Sequence, residues 1–330
     1  MRYSVIVPVY NRPDEVAELL ESLLQQSSKN FEVLIVEDAD RLPCAEVVGA
    51  YSAYLNLRYF NVPKTSRSHR RNYGMQQAQG DYFVFWDSDC IIPPDYFAKL
   101  DKNLQAHYSD CFGGPDAAHE SFTDMQKAVN FAMTSFFTTG GIRGGKRQME
   151  KFKPRTFNMG FSRAVFDRVG GFNDMFGEDI DLSIRIAGAG FRTMLFNDLW
   201  VYHKRRIDFK KFFKQVHNFG VARINLAILH KGSLKIVHTF PALFLLGCAA
   251  ILLLSMLASP YFLLLIAFYT LLLFVAALLK TKKIKIALWA IVTSYIQLWG
   301  YGIGFIKSFV QKIILRKGLE NSQTLQRIYN

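Results

Sequence analysis

Two patterns of apolar and polar positions divide this chain of 330 residues. Up to about residue 232, short apolar runs alternate with polar turns, and from Lys235 long uncharged runs take over. The first pattern reads as strand and helix in turn. "YSVIVPVY" predicts a strand, and "DEVAELLESLLQQS" a helix with apolar residues at 16, 19, 20, 23 and 24. "FEVLIVED" predicts a strand, "AEVVGAYSAYL" a helix, "LRYFNV" a strand and "RSHRRNYGMQQAQ" a helix. Tyr82 to Trp86, aromatic and β-branched throughout, predict the next strand. Such a rhythm implies a doubly wound, largely parallel, Rossmann-like α/β sheet with helices on both faces. Ligands of such sheets sit at strand carboxyl ends, where strand order reverses. Asp38 and the pair Asp87 and Asp89 follow strands directly, so they are expected to line that crevice.

The second pattern comprises three runs without a charged side chain, at about 236–258, 260–279 and 286–306. Each matches the roughly 20 residues a helix needs to cross a bilayer. Three in succession predict an α-helical membrane domain after the α/β domain. Boundaries are expected at 1–205 for the α/β domain, 206–232 for an interfacial amphipathic helix, 233–308 for the membrane helices and 309–330 for a basic tail. In Asp208 to Lys231, Lys, Arg and Phe recur at helical spacing, which fits a helix with its Phe side on lipid and its Lys side at the headgroups.

Composition sharpens the picture in three ways. The net charge of +13 is concentrated beside the apolar runs, in "HKRRIDFKKFFKQVHN" and "KTKKIK", where anionic lipid attracts it. No nucleic-acid motif appears, so the charge points to membrane lipids and not to nucleic acid. The four cysteines have no metal-ligand spacing, and no signal-peptide pattern opens the chain, so the α/β domain is expected in the cytosol and the protein as a multi-pass inner-membrane protein. Topology stays open at one point. Three crossings put the basic residues Lys307, Lys312, Arg316 and Lys317 outside, whereas Gly300, Gly302 and Gly304 allow the third segment to bend back.

The candidate chemistry begins at "DYFVFWDSDCIIPP". Asp87 and Asp89 at a strand end fit a turn, or the hard oxygen ligands that Mg²⁺ or Mn²⁺ prefers. Neither a Gly-rich dinucleotide loop nor a Walker A loop follows the first strand, which disfavours a dehydrogenase, a P-loop nucleotidase and a nucleotidyltransferase.

"SVIVPVYNRPDEVAELLESLLQQ", "FEVLIVEDAD", "RSHRRNYGMQQAQGDYFVFWDSD" and "FNMGFSRAVFDRVGGFNDMFGEDIDLSIRIAGAGFR", in this order, resemble the family 2 glycosyltransferases of the GT-A fold over about residues 1–205. The resemblance implies inverting transfer of a sugar from a nucleotide diphosphate sugar with Mn²⁺ or Mg²⁺ as cofactor. By similarity Pro8 and Tyr10 pack around the nucleotide and Asp38 accepts from base or ribose. Arg71, or Arg70 if the helix phase shifts by one, faces the diphosphate. Asp87 and Asp89 hold metal and diphosphate, and His203 matches a further metal ligand of some members, although a lone histidine is more often structural. Asp179 is the candidate base, with Asp181 the fallback, and Glu178 and Asp181 lie on the acceptor side. Acids in a first helical turn also suit the macrodipole without any catalysis.

Departures from relatives narrow the acceptor. Processive synthases carry Gln-x-x-Arg-Trp, where this chain has Gln215 but Asn218 and Phe219. Polyprenyl-phosphate sugar synthases continue the Asp-x-Asp strand differently from "DSDCIIPP". A single addition to a lipid-linked or membrane-proximal glycan acceptor fits best, with those two synthase types as alternatives. A membrane-bound sensor that binds nucleotide sugar without turnover is the non-enzyme alternative, and it has no need of a base. The glycine-rich, basic segment from Gly140 to Arg155 reads as a loop over the donor.

Overall fold

Strands buried on both faces need no polar alternation, and the first strands show none. In the computed structural model, which describes residues 1–38, 41–140, 152–204 and 208–317, they form the centre of a seven-stranded sheet. The chain divides into two compact units, Met1–His119 with Phe152–Lys204, and Glu120–Lys151 with Arg205–Asn330. Most of the expected donor loop, at 141–151, and the tail from 318 lie outside the described residues.

The first unit contains β1 (Tyr3–Val9), α1 (Pro13–Leu24), β2 (Phe31–Glu37), α2 (Ala45–Tyr51), β3 (Leu57–Asn61), α3 (Arg67–Gln77), β4 (Tyr82–Phe85), β5 (Cys90–Ile91), α4 (Tyr96–Ala106), β6 (Cys111–Gly113) and β7 (Asp116–Ala117). The second unit's α5 (Asp124–Thr134) and α6 (Phe136–Thr139) intervene. The first unit then resumes with β8 (Met159–Ser162), α7 (Arg163–Val169), α8 (Glu178–Gly188), β9 (Thr193–Leu195) and β10 (Val201–His203). Strand order is β3-β2-β1-β4-β8-β6-β9, parallel except for β8. The side-chain period of two splits the core. Val5, Val7, Val33, Ile35, Val84 and Trp86 meet α1 and α4 on one face. Ile6, Leu34, Phe83 and Phe85 meet Met75, Val165, Leu182 and Ile186 on the other. The helix expected over "AEVVGAYSAYL" stops at Tyr51, a turn early, and only Val48 of α2 is buried.

A second, three-stranded sheet, β5-β10-β7, stands at the carboxyl edge of the first, because β5 follows β4 directly. Strands of two and three residues leave no periodic trace in a sequence, and none was expected here.

The second unit is helical, adding α9 (Phe209–Leu229), α10 (Phe240–Leu257), α11 (Leu263–Thr281) and α12 (Ile284–Phe309) to α5 and α6. The three C-terminal stretches Ile236–Leu257, Pro260–Thr281 and Ile284–Ile314 are long and apolar enough to cross a membrane. Helix α9 carries the expected amphipathic pattern, but Phe212 and Val216 on its apolar side are covered by Val129, Ala132 and Met133 of α5 and by Ile296 of α12. Helices α9 and α12 touch backbone to backbone. A methyl on Gly304 would lie 2.1 Å from the His217 carbonyl oxygen, and one on Gly220 2.2 Å from that of Tyr301, so only glycine fits.

Candidate active site

Parallel register brings the ends of β2, β1 and β4 to one edge, and with them Tyr10, Asp38 and Asp87. Pro8 is buried inside β1, and Tyr10 just beyond it is exposed. Asp38 is buried after β2. Its Oδ2 accepts from the Thr65 N–H at 2.7 Å and pairs with Arg70 at 2.5 Å. Its Oδ1 is buried without a hydrogen-bond partner among the described residues. Burial pushes the Arg70 guanidinium down despite Asp38 beside it.

Helix α3 begins at Ser66, whose hydroxyl accepts from the His69 N–H, and this start fixes where its arginines point. Arg71 is wholly buried. It donates to Asp87 Oδ1 at 2.8 Å and to Glu178 Oε1 at 2.9 Å. The resemblance implies that one of Arg71 and Arg70 faces the diphosphate, but both are paired with carboxylates and neither presents a free guanidinium. The exposed arginine of this helix is Arg67, one turn before Arg71. Surrounding protein works against its charge, but Asp87, Glu178, Asp179 and Asp89 outweigh that and raise it above the ordinary arginine range. Spacing of four from Arg71 was the signal for it.

The small sheet assembles the rest. Pairing of β10 with β5 sets His203 opposite Cys90, next to Asp89. His203 Nε2 lies 3.2 Å from Asp89 Oδ1 and 3.9 Å from Asp87 Oδ2, and its ring stacks on Phe157. Behind it, buried Asp116 of β7 sits 3.9 Å from Nδ1. Asp116 had no signal in the sequence, since β7 has two residues. Glu15 of α1 accepts from the Ser88 hydroxyl at 3.2 Å, and burial, then Asp89, pushes its carboxyl up.

Two carboxylates and an imidazole nitrogen converging in this way fit a hard divalent cation. Cys90 also falls within 4.8 Å of the Asp89 and His203 ligand atoms, but its thiol donates to the Phe157 carbonyl at 3.6 Å. Asp89 and His203 of this cluster, with Asp87 3.9 Å from the imidazole, are the donors suited to Mg²⁺ or Mn²⁺.

Helix α8 starts after Gly177, whose φ of +92° is a left-handed conformation that glycine adopts freely. Its first-turn acids diverge. Glu178 turns to Arg71. Asp181 is buried against Arg185 at 3.0 Å and accepts from Asn173 at 2.7 Å, a structural pairing that suits neither a base nor an acceptor-side role. Asp179 keeps an accessible carboxylate, 3.7 Å from Arg155, and shares Arg67 as a neighbour with Asp87 and Asp89.

A mostly parallel α/β sheet with an acidic, histidine-bearing edge defines a GT-A type domain. The chain belongs to glycosyl transferase family 2, whose profile matches residues 4–170. It is 30% identical over 137 residues to an uncharacterized glycosyltransferase of Rickettsia felis, covering 42% of this chain but only 22% of that much longer relative. Glycosyltransferase AglE of Haloferax volcanii is 25% identical over 261 residues, covering 74% of this chain and 80% of AglE. Among solved structures, the mannosyltransferase PcManGT of Pyrobaculum calidifontis, in complex with GDP-Man and Mn²⁺, superposes with a TM-score of 0.58 at 18% identity, over 92% of this chain and 87% of that one. That likeness is one of fold.

Proposed function

We propose that this chain is an inverting, metal-dependent glycosyltransferase that moves one sugar from a nucleotide diphosphate sugar to a lipid-linked or membrane-proximal glycan. The convergence of Asp87, Asp89 and His203 at the carboxyl edge of the sheet carries this reading. Mn²⁺ and a sugar nucleotide in a solved protein of the same fold support it.

In this reading Tyr10 offers a flat face to the base, and the buried Oδ1 of Asp38, which has no hydrogen-bond partner among the described residues, is the acceptor for base or ribose. Asp87, Asp89 and His203 hold the cation, which supplies charge neutralisation to the leaving diphosphate. Arg67 takes over from Arg71 as the cation facing the phosphates. Arg71 acts one step back, fixing the Asp87 carboxylate against Glu178. Asp179 removes the proton from the acceptor hydroxyl as that oxygen bonds to the anomeric carbon, and the sugar–phosphate bond breaks on the opposite face. Arg155, 3.7 Å away, holds the Asp179 side chain in place.

The apolar helices of the same chain favour an acceptor at a membrane, and the basic residues beside them favour a cytosolic active site at the inner membrane. The test is a donor screen with the purified full chain, reading released nucleoside diphosphate in Mn²⁺, Mg²⁺ and chelator. One donor should give metal-dependent release that rises with acceptor-containing membrane extract. Undiminished release in chelator refutes the metal role, and binding without release from any donor favours a sensor.

A further inference from the structure

We propose that only α10 and α11 cross the bilayer, as a hairpin, and that α12 lies along the membrane face from which the hairpin rises, with its basic ends at anionic headgroups. Two crossings return the chain to the side it left, so both feet of the hairpin share one face. Helix α12 touches both feet. At the start of α10, Pro241 and Ala242 press on Gly302 so closely that a methyl there would lie 2.6 Å from the Pro241 carbonyl oxygen. Near the end of α11, Ala277 packs with Ala287 and Ala290. Midway along α12, Tyr295 reaches Phe244, one turn into α10, and Thr270, in the middle of α11. Ala287 and Gly302 are separated by about 22 Å of helix at 1.5 Å per residue. A helix that meets both feet across that distance runs along their face and does not depart from it.

Covering supports the same arrangement. The apolar windows of α10 and α11 are each 11% buried within the described protein, as lipid-facing helices are, while that of α12 is 50% buried. The covered side of α12 carries Thr293, Ser294, Gln297 and Ser308, and its exposed stripe is Leu288, Val292, Trp299 and Ile303. That is the division of an interfacial helix.

Helix α9 runs alongside α12 from Phe209 at Trp289, through Gly220 at Tyr301, to Asn225 at Lys312. Were α12 to cross, Lys214 and Arg223 would go with it into the bilayer, where a charge at the centre costs about 2.5–3.5 kcal/mol. Arg223 is 5% exposed, and its Nη1 has no hydrogen-bond partner among the described residues. Lying flat also removes the charge conflict. Lys282, Lys283 and Lys285 at one end of α12, and Lys307, Lys312, Arg316 and Lys317 at the other, then all face the same leaflet.

Spin labels at Leu288→Cys and Ile303→Cys, both on the exposed stripe, in the full chain reconstituted in anionic liposomes, should report equal depth. A difference near 20 Å, as in a crossing helix, overturns the proposal. Separately, Ser259→Cys at the hairpin tip should react with an impermeant maleimide in intact expressing cells, and Lys317→Cys only after lysis. Labelling of Lys317→Cys in intact cells, or protection of Ser259→Cys, also overturns it. Wild type, whose four cysteines are buried, gives the background.

Discussion

Arg71 is the residue whose replacement is most instructive, because it links the candidate metal ligand Asp87 to helix α8 without reaching solvent. Its two donors lie 2.8 and 2.9 Å from Asp87 and Glu178, which are themselves 21% and 12% exposed. Arg71→Met leaves both carboxylates facing each other without the guanidinium that bridges them, with Arg67 as the remaining neighbouring cation. Removing one partner of a buried ion pair costs about 3–5 kcal/mol. Partial exposure of both acids lets water take some of the load, so about 3 kcal/mol is expected. At about 2–4 °C per kcal/mol for a domain of this size, the melting temperature should fall by about 6–12 °C. Arg71→Lys keeps the charge but reaches one acid, and should lose about half as much. Thermal unfolding of both variants, with Glu178→Gln and the double variants completing a cycle, measures the coupling. Additive effects of Arg71→Met and Glu178→Gln, or a Lys variant as stable as wild type, refute the bridge.

Three further outcomes are expected. Asp179→Asn should keep its stability and donor affinity while turnover falls at least about 10²-fold, whereas Asp181→Asn should lose stability, since its buried pairing with Arg185 breaks; the reverse assignment in unfolding and single-turnover assays counts against the proposed base. Arg67→Gln removes the cation that Asp87, Glu178, Asp179 and Asp89 share, so some loss of melting temperature is expected, and the donor KM should rise about 10-fold or more, as loss of one charge-assisted phosphate contact does; an unchanged KM removes Arg67 from the phosphate site. The buried Glu32 carboxyl is opposed by burial yet held below its ordinary 4.5 by the Ser4 hydroxyl, the Gln79 N–H and Arg58. Its stabilisation is complete above that value and disappears as pH falls through the lower folded value, so Glu32→Gln should flatten the acid limb of a stability–pH curve, and an unaltered limb would contradict this.

Features that depend on neighbours along the chain are legible in the sequence. Strand and helix periodicity, unbroken apolar runs in β1, β2 and β4, the acids placed directly after β2 and β4, and three helices of membrane-spanning length all follow from local spacing and composition. The tertiary structure decided what depends on residues far apart. His203 meets Asp89 only because β10 pairs with β5, and Asp116 joins them only because β7 takes the other side of β10. Which arginine of α3 is spent on carboxylates and which stays open depends on α8 packing beside it. Segment Glu120–Lys151, interior to the expected catalytic domain, groups with the helical unit because α5 buries Ala128 and Phe131 against α11 and α12. Helix α12 has the composition of a membrane span, and composition counts apolar residues without regard to direction. Thr293, Ser294, Gln297, Gly300 and Gly304 fall on one face, and only the arrival of α5 and α9 on that face shows that protein, and not lipid, is their solvent.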